Sequence, residues 1–221
     1  MYAASWSGGK DCCLALYKAL QAGYDVHVLA NFYSERYERV RFHGTPIALI
    51  RDQARAMGLD LLQWPTPDET YEEAFLAGLR VLVDRGVTGM VFGDIYPEAH
   101  RDWGRRMCAE VGIEAVHPIF GMDTQQVMAE FLATGFEAVV ISGRPDLFSG
   151  EQMGARLGPE FLDWCAEQPG LDVCGENGEY HTVVVDGPLF RQRVELTEAE
   201  PCQVNGHWFV DIRAWELRDK P

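Results

Sequence analysis

The chain has no run of about 18 apolar residues, the length a helix needs to cross a bilayer, and its opening, Met1-Tyr2-Ala3-Ala4-Ser5, lacks the basic-then-apolar layout of an export signal. Neither membrane insertion nor secretion is expected, and a cytoplasmic location is. Basic residues are scarce: 19 Lys and Arg stand against 34 Asp and Glu, for a net charge of −15. That charge repels a polyphosphate backbone at long range unless a local basic patch overrides it, so nucleic acid is not expected as the main partner. The acidity also serves solubility. Six cysteines are present, Cys12, Cys13, Cys108, Cys165, Cys174 and Cys202, but none forms a C-x-x-C pair, which removes the usual spacing of a structural zinc site or an iron–sulfur centre. In a sizeable chain without an export signal the thiols are expected to stay reduced. Internal repeats and low-complexity tracts are lacking too.

What is present is enough apolar matter for a core, at 47% of 221 residues, arranged in an alternating pattern. Tyr2 to Trp6 reads as a strand. After Gly8-Gly9 the apolar spacing becomes helical through Leu14, Leu16 and Leu20. Val26 to Phe32 follows Gly23 as a strand, a helix opens with Thr45 as N-cap and Pro46 at its first position, and Leu59 to Trp64 is a strand after the stop at Gly58. The pattern continues with a helix from Asp68 to Arg85, a strand from Val87 to Phe92, a helix from Trp103 to Val111 and a short strand from Ile113 to Val116. Strands alternating with helices predict a five-stranded parallel sheet covered on both faces, with ligands at the carboxyl ends of its strands. A helix over Asp123 to Thr134 and a strand over Phe136 to Ser142 come next. Beyond Gly143 the texture becomes short and glycine-rich, with strands at Thr182 to Val185, Arg191 to Leu196 and Trp208 to Leu217. This predicts two parts, 1–120 and a smaller α+β domain over 121–221, with the boundary near Gly121.

Ser7-Gly8-Gly9-Lys10-Asp11 lies between the first strand and the first helix, where unpaired backbone N–H groups and the helix dipole favour an anion. Glycines let the backbone approach a phosphate, Ser7 donates a hydroxyl hydrogen bond, Lys10 supplies a point charge and Asp11 orients the loop. The string is neither the Walker pattern G-x-x-x-x-G-K-[ST] nor the dinucleotide fingerprint G-x-G-x-x-G. A second stretch, Cys174-Gly175-Glu176-Asn177-Gly178-Glu179-Tyr180-His181-Thr182, precedes Asp186-Gly187-Pro188-Leu189-Phe190. Two carboxylates three positions apart suit an amine or a magnesium ion, and an imidazole suits acid or base work near neutral pH. The bland alternatives are a helix-start turn with a surface lysine and a polar hairpin.

Ser7 to Cys12 resembles the S-G-G-K-D-S signature of PP-loop ATP pyrophosphatases, with Cys12 in place of the final serine, a weaker donor. With the second stretch, and with Gly93-Asp94-Ile95 similar to a further family motif, nearly the whole chain resembles the diphthine-ammonia ligase family. The resemblance implies a HUP-type nucleotide-binding domain followed by a substrate domain. The activity it implies is adenylation of the diphthine carboxylate on an elongation factor, followed by attack of ammonia. G-E-N-G-E-Y-H-T, with His181 where an acidic residue is typical of eukaryotes and archaea, is more similar to the bacterial branch. Bacteria lack diphthamide, so the acceptor carboxylate is left open between diphthine and a small molecule.

On that resemblance ATP is bound by Ser7, Gly8, Gly9, Lys10, Asp11 and Cys12, with backbone from Ala30, Asn31 and Phe32 at the adenine and Gly93 and Asp94 at ribose or magnesium. Glu176, Asn177, Gly178, Glu179, Tyr180, His181 and Thr182 face the acceptor, with Lys10, Asp94, Glu176, Glu179 and His181 as the chemical groups. Metal ligands stay unassigned and a homodimer stays open. His100 and Arg101 either reach the nucleotide or cap a helix. His27, His43, His117 and His207 read as surface or packed residues, and Tyr33 to Phe42 reads as an exposed arm near the substrate entrance. The rival readings are an RNA-thiolating PP-loop enzyme, against which the missing cysteine pair and the charge weigh, and a non-catalytic nucleotide sensor, which leaves the second stretch without a task.

Overall fold

Short apolar segments that alternate with glycine-stopped helices have one economical way to bury both faces, a parallel sheet between helix layers. The computed structural model describes residues 1–67 and 69–220. The strands and helices of its first half are β1 (Tyr2–Ser5), α1 (Lys10–Gln21), β2 (Val26–Ser34), β3 (Arg39–Val40), α2 (Ile47–Met57), β4 (Asp60–Thr66), α3 (Tyr71–Asp84), β5 (Gly89–Val91), α4 (Glu98–Glu110) and β6 (Glu114–Val116). Five strands run parallel in the order β4-β2-β1-β5-β6, and β3 adds a two-residue antiparallel pairing at the end of β2. The chain builds outward from β1 to β4 and then returns to the other side of β1, so the order reverses between β1 and β5. In such sheets the crevice for a ligand opens at that reversal, beyond the carboxyl ends of the two strands.

The second half holds α5 (Thr124–Ala133), β7 (Glu137–Gly143), α6 (Pro159–Ala166), β8 (Tyr180–Asp186), β9 (Gln192–Val204) and β10 (His207–Asp219). Its sheet is antiparallel throughout, in the order β8-β7-β10-β9. Asp123 caps α5 by accepting from the N–H groups of Gln125 and Gln126.

Several boundaries differ from the sequence reading. The cap of α2 is Pro46, because the Thr45 carbonyl is taken by the Val40 N–H in the turn that follows β3. The helix expected at Trp103 starts five residues earlier, after Pro97; its first turn, Glu98-Ala99-His100-Arg101-Asp102, is too polar to show an apolar period. The expected start at Asp68 lies outside the described residues. The last two strands are longer than expected. Asn205 and Gly206, at φ of 51° and 84°, form a two-residue turn that pairs Val204 with His207 and carries the ladder back to Glu198, where the register shifts before Leu196. Asn-Gly flanked by strand residues is the signal that identifies such a hairpin.

The helices α3 and α4 cover one face of the parallel sheet through Phe75, Leu79, Leu82, Met107 and Cys108. The other face is covered by α1 and α2, and a single cluster of buried side chains runs from these helices into the antiparallel sheet. Tyr17 of α1 meets Phe136 edge to face at 5.8 Å, Trp215 donates its indole N–H to Asp52 of α2 at 2.8 Å, and the Arg191 N–H donates to the Ala56 carbonyl at 2.7 Å. No helix among the described residues is long and apolar enough to cross a membrane. Because the two halves share one core, Phe136→Ala is expected to cost about 3–5 kcal/mol while leaving a single unfolding transition, followed by far-UV circular dichroism and tryptophan fluorescence in parallel; two separated transitions contradict the shared core.

Candidate active site

The loop after β1 is fixed from three sides. The Trp6 N–H extends the pairing with β2 by donating to Ala30, and the Trp6 carbonyl accepts from the Asn31 amide at 2.9 Å. Gly8 has φ of +82°, where a side chain is strained, and a Cβ there meets the Gln53 amide oxygen at 2.6 Å. At Gly9 a Cβ meets the His43 ring at 2.7 Å and the Thr182 carbonyl at 3.2 Å. The antiparallel sheet backs the loop directly: Val184 N–H donates to the Gly8 carbonyl at 2.8 Å, and Lys10 N–H donates to the Thr182 hydroxyl at 3.1 Å. Gly93, just past β5, passes so close to the first turn of α1 that a Cβ there lies 2.7 Å from the Cys12 nitrogen.

Lys10 is buried, at 3% exposure. Its ammonium donates to Asp11 at 2.9 Å and to the Cys174 carbonyl, and lies 5.2 Å from the centre of the Tyr180 ring. Burial alone lowers a lysine pKa, but the Asp11 carboxylate and the neighbouring Cys174 and Glu176 outweigh it and hold Lys10 above its ordinary value. Asp11 is itself pushed up by burial, against the pull of Lys10, and its Oδ1 is buried without a hydrogen-bond partner among the described residues.

The second stretch folds into a tight loop whose charged groups divide into internal braces and cleft-facing groups. Glu179 is a brace: its carboxylate accepts from the N–H of Asp172 at 3.2 Å, the N–H of Asn177 at 2.9 Å and the Asn177 side chain at 3.0 Å. Tyr180 is also interior, with its hydroxyl donating to the Val173 carbonyl at 2.6 Å. Glu179 is therefore spent inside the loop, whereas Tyr180 buries its hydroxyl but keeps its ring on the cleft wall near Lys10. Asn177 accepts from the Tyr96 hydroxyl at 2.9 Å, and Glu176 accepts weakly from the Ile95 N–H at 3.4 Å. Burial first, then the nearby Asp11 carboxylate, push Glu176 up to about 8.

Lys10, Asp11, Gly93, Asp94, Glu176, Asn177, Gly178, Tyr180, His181 and Thr182 line one cleft of about 550 Å³. Ser7, Gly8, Gly9, Cys12 and Glu179 are not among the residues that line it. Ala30, Asn31 and Phe32 are buried inside β2, with Asn31 spent on the Trp6 carbonyl. His100, in the first turn of α4, faces the cleft, whereas Arg101 turns to Glu98, Asp102 and the face of Phe120.

Two histidines read as surface or packed prove to be neighbours of the chemistry. His43 joins the cleft wall with its ring 4.5 Å from that of His181. Burial lowers His43 to about 4, and burial followed by the proximity of His43 lowers His181 well below its usual value. Both rings are neutral at pH 7, so His181 has no proton to give as an acid and can only accept one or share a single N–H. His117 is stacked on Phe92 at 5.1 Å, and its Nδ1 lies 3.1 Å from Asp94 Oδ2 without forming a hydrogen bond. Nothing in the local sequence marks His43 or His117; each arrives through packing. Phe42, exposed and at φ of +63°, completes the rim as the expected arm ends. Among the described residues no group of three or more His, Cys, Asp or Glu is set to hold a metal ion.

Residues 1–115 match the diphthamide synthase N-terminal domain, and residues 123–217 match the diphthamide synthase C-terminal domain. Diphthine–ammonia ligase of Danio rerio is 24% identical over 219 residues, which cover 88% of this chain and 85% of that protein. The protein of the same name from Homo sapiens is 25% identical over 224 residues, 90% of this chain and 83% of that one. The Schizosaccharomyces pombe protein is 26% identical over 239 residues, 97% of this chain but only 39% of that longer relative. Matched by both domains in order, and with its glycine loop and carboxylate-rich loop meeting in one cleft at the sheet's reversal, the chain belongs to the diphthamide synthase family.

Proposed function

We propose that this protein is an ATP-dependent ligase that adenylates a carboxylate with release of pyrophosphate and then forms an amide with ammonia, on a diphthine-type acceptor. The observation that carries this reading is the convergence of Lys10, at the start of α1, with Asp94 and Glu176 on one cleft wall. Residues 1–120 take the nucleotide, with the triphosphate laid against the glycine loop and the start of α1. Residues 121–221 bring the acceptor through the Cys174–Thr182 loop.

In the first step an acceptor carboxylate oxygen attacks the α-phosphorus and the bond to the pyrophosphate oxygen breaks. Negative charge grows on the leaving group, where Lys10 stabilises it. Incoming phosphates compete with Asp11 for that ammonium, and the raised affinity of Asp11 for a proton eases its release from the pair. Asp11 Oδ1 is buried without a hydrogen bond, and Asp94 Oδ2, 3.1 Å from His117 Nδ1, accepts none among the described residues; both fit a magnesium ion, and these two side chains would hold it. When bound, magnesium neutralises charge on the phosphates. In the second step ammonia attacks the acyl adenylate and AMP leaves. Glu176, ionised, takes the proton lost by the nitrogen. Phe42 and Tyr96 beside this acidic wall suit a quaternary ammonium on the acceptor. Sulfur transfer is not favoured, since burial pushes the Cys12 and Cys174 thiols up and away from the thiolate form.

Lys10→Ala is expected to lower AMP and pyrophosphate formation by on the order of 10²–10³ with the folded circular dichroism spectrum retained; undiminished turnover refutes the assignment. Glu176 binds its proton more tightly in the folded chain than in the unfolded one, so it is neutral well above the usual carboxylate range and ionises only near pH 8. Amide formation at constant free ammonia should therefore rise as pH passes through about 8, and Glu176→Gln should abolish that rise; a Gln variant with an unchanged profile removes Glu176 from the role. An acceptor peptide stripped of its three ammonium methyl groups should bind more weakly by about 0.5–2 kcal/mol in calorimetry, and equal affinities count against a diphthine-type acceptor.

A further inference from the structure

Gln53, in the middle of α2, is fully buried and uses its whole amide at one junction. Its oxygen accepts from the Trp6 indole N–H at 3.1 Å, and its nitrogen donates to the Gly8 carbonyl at 3.1 Å and to the Val184 carbonyl at 2.7 Å. The Gly8 carbonyl thus receives two donors, from Gln53 and from the Val184 N–H, neither of which lines the cleft. A trans peptide holds its carbonyl and its following N–H in opposite directions. Turning the Gly8 oxygen inward therefore turns the Gly9 N–H to the opposite side, where it donates weakly to the Ser7 hydroxyl at 3.4 Å.

The peptide between two glycines is the least restrained in the loop, because neither flanking residue has a Cβ to resist rotation. Rotated by half a turn, it presents a carbonyl oxygen instead of an N–H beside the Ser7 hydroxyl, and that oxygen repels a phosphate. We propose that Gln53 is a positioning residue that locks the Gly8–Gly9 peptide in the anion-binding orientation, and that α2 takes part in nucleotide binding through it without touching the ligand. A purely packing role gives an apolar side chain of similar volume no disadvantage in ligand binding. Gln53 instead spends one acceptor and two donors on three separate segments, the end of β1, the loop and β8. This role for Gln53 rests on the phosphate-binding reading of the loop proposed above.

The test compares Gln53→Glu, which keeps the shape and the acceptor for Trp6 but removes the two donors, and Gln53→Met, which keeps volume alone, with Leu49→Ala, an equally buried cut in the same helix that has no polar group and does not line the cleft. Binding of pyrophosphate and of ATP to each folded protein is measured by calorimetry, alongside thermal melting. Both Gln53 variants are expected to weaken pyrophosphate and ATP binding about tenfold, the worth of the lost hydrogen bonds, with KM for ATP rising more than kcat falls; Leu49→Ala should lower the melting temperature and leave affinity unchanged. Unaltered affinity in the Gln53 variants overturns the role, and so does an equal loss in Leu49→Ala. A wild-type protein that binds neither pyrophosphate nor ATP defeats the phosphate site itself, a distinct result. Should neither Gln53 variant fold, the Gly9 amide resonance of the wild-type protein serves: it shifts on addition of pyrophosphate if the N–H is aimed outward, and a resonance that stays in place overturns the assignment.

Discussion

The Gly8 carbonyl is the point on which the two halves of this protein depend. A helix that starts from a pair of glycines gains an open N-terminus for an anion but no rigidity of its own, since glycine surrenders the most backbone freedom on folding. Here the missing rigidity comes from β8, more than 170 residues away, through the Val184 N–H on Gly8 and the Thr182 hydroxyl on the Lys10 N–H. The antiparallel sheet is therefore part of the loop's own framework as well as a neighbouring lobe, and the continuous buried cluster from α1 and α2 into that sheet has the same consequence for stability.

Electrostatics in the cleft follows from placing one buried cation among carboxylates in a chain of net charge −15. Lys10 holds its proton because Asp11 lies 2.9 Å away, and Asp11 and Glu176 resist ionisation because they are buried and close to one another. On the proposed reading a triphosphate brings its negative charge to Lys10, in a chain whose net charge repels polyanions at long range. The neutral imidazoles of His43 and His181 extend this wall without adding positive charge that would oppose a cationic acceptor.

The carboxylate-rich loop shows how one short motif divides its labour. Glu176 and Glu179 are three residues apart and look equivalent on paper. Gly175, at φ of +74°, and Gly178, at +77°, turn the chain so that Glu179 folds back onto the N–H groups of Asp172 and Asn177 while Glu176 stays on the cleft wall. One carboxylate builds the loop and the other stays open to the cleft.

By itself the sequence determined the parallel α/β half, the glycine turn at its first strand and the existence of a smaller, strand-rich second half, because local periodicity and glycine punctuation report directly on elements that each bury one face. It also pointed to Lys10, Asp94 and Glu176, whose places follow from chain position at the ends of strands or within a dense motif. The polar start of α4 and the full length of the last hairpin were harder to read, since the first has no apolar period and the second depends on the Asn205-Gly206 turn. Only the tertiary structure decided that His43 borders the cleft and His117 lies against Asp94, that Glu179 turns inward and the Tyr180 hydroxyl is spent on Val173, and that Gln53 ties Trp6, Gly8 and Val184 together. The places of His43 and Gln53 rest on contacts between residues 45 to 139 positions apart, whereas Glu179 and Tyr180 are turned by partners within their own loop, and in each case the direction of the side chain is set by which buried donors and acceptors must find one another.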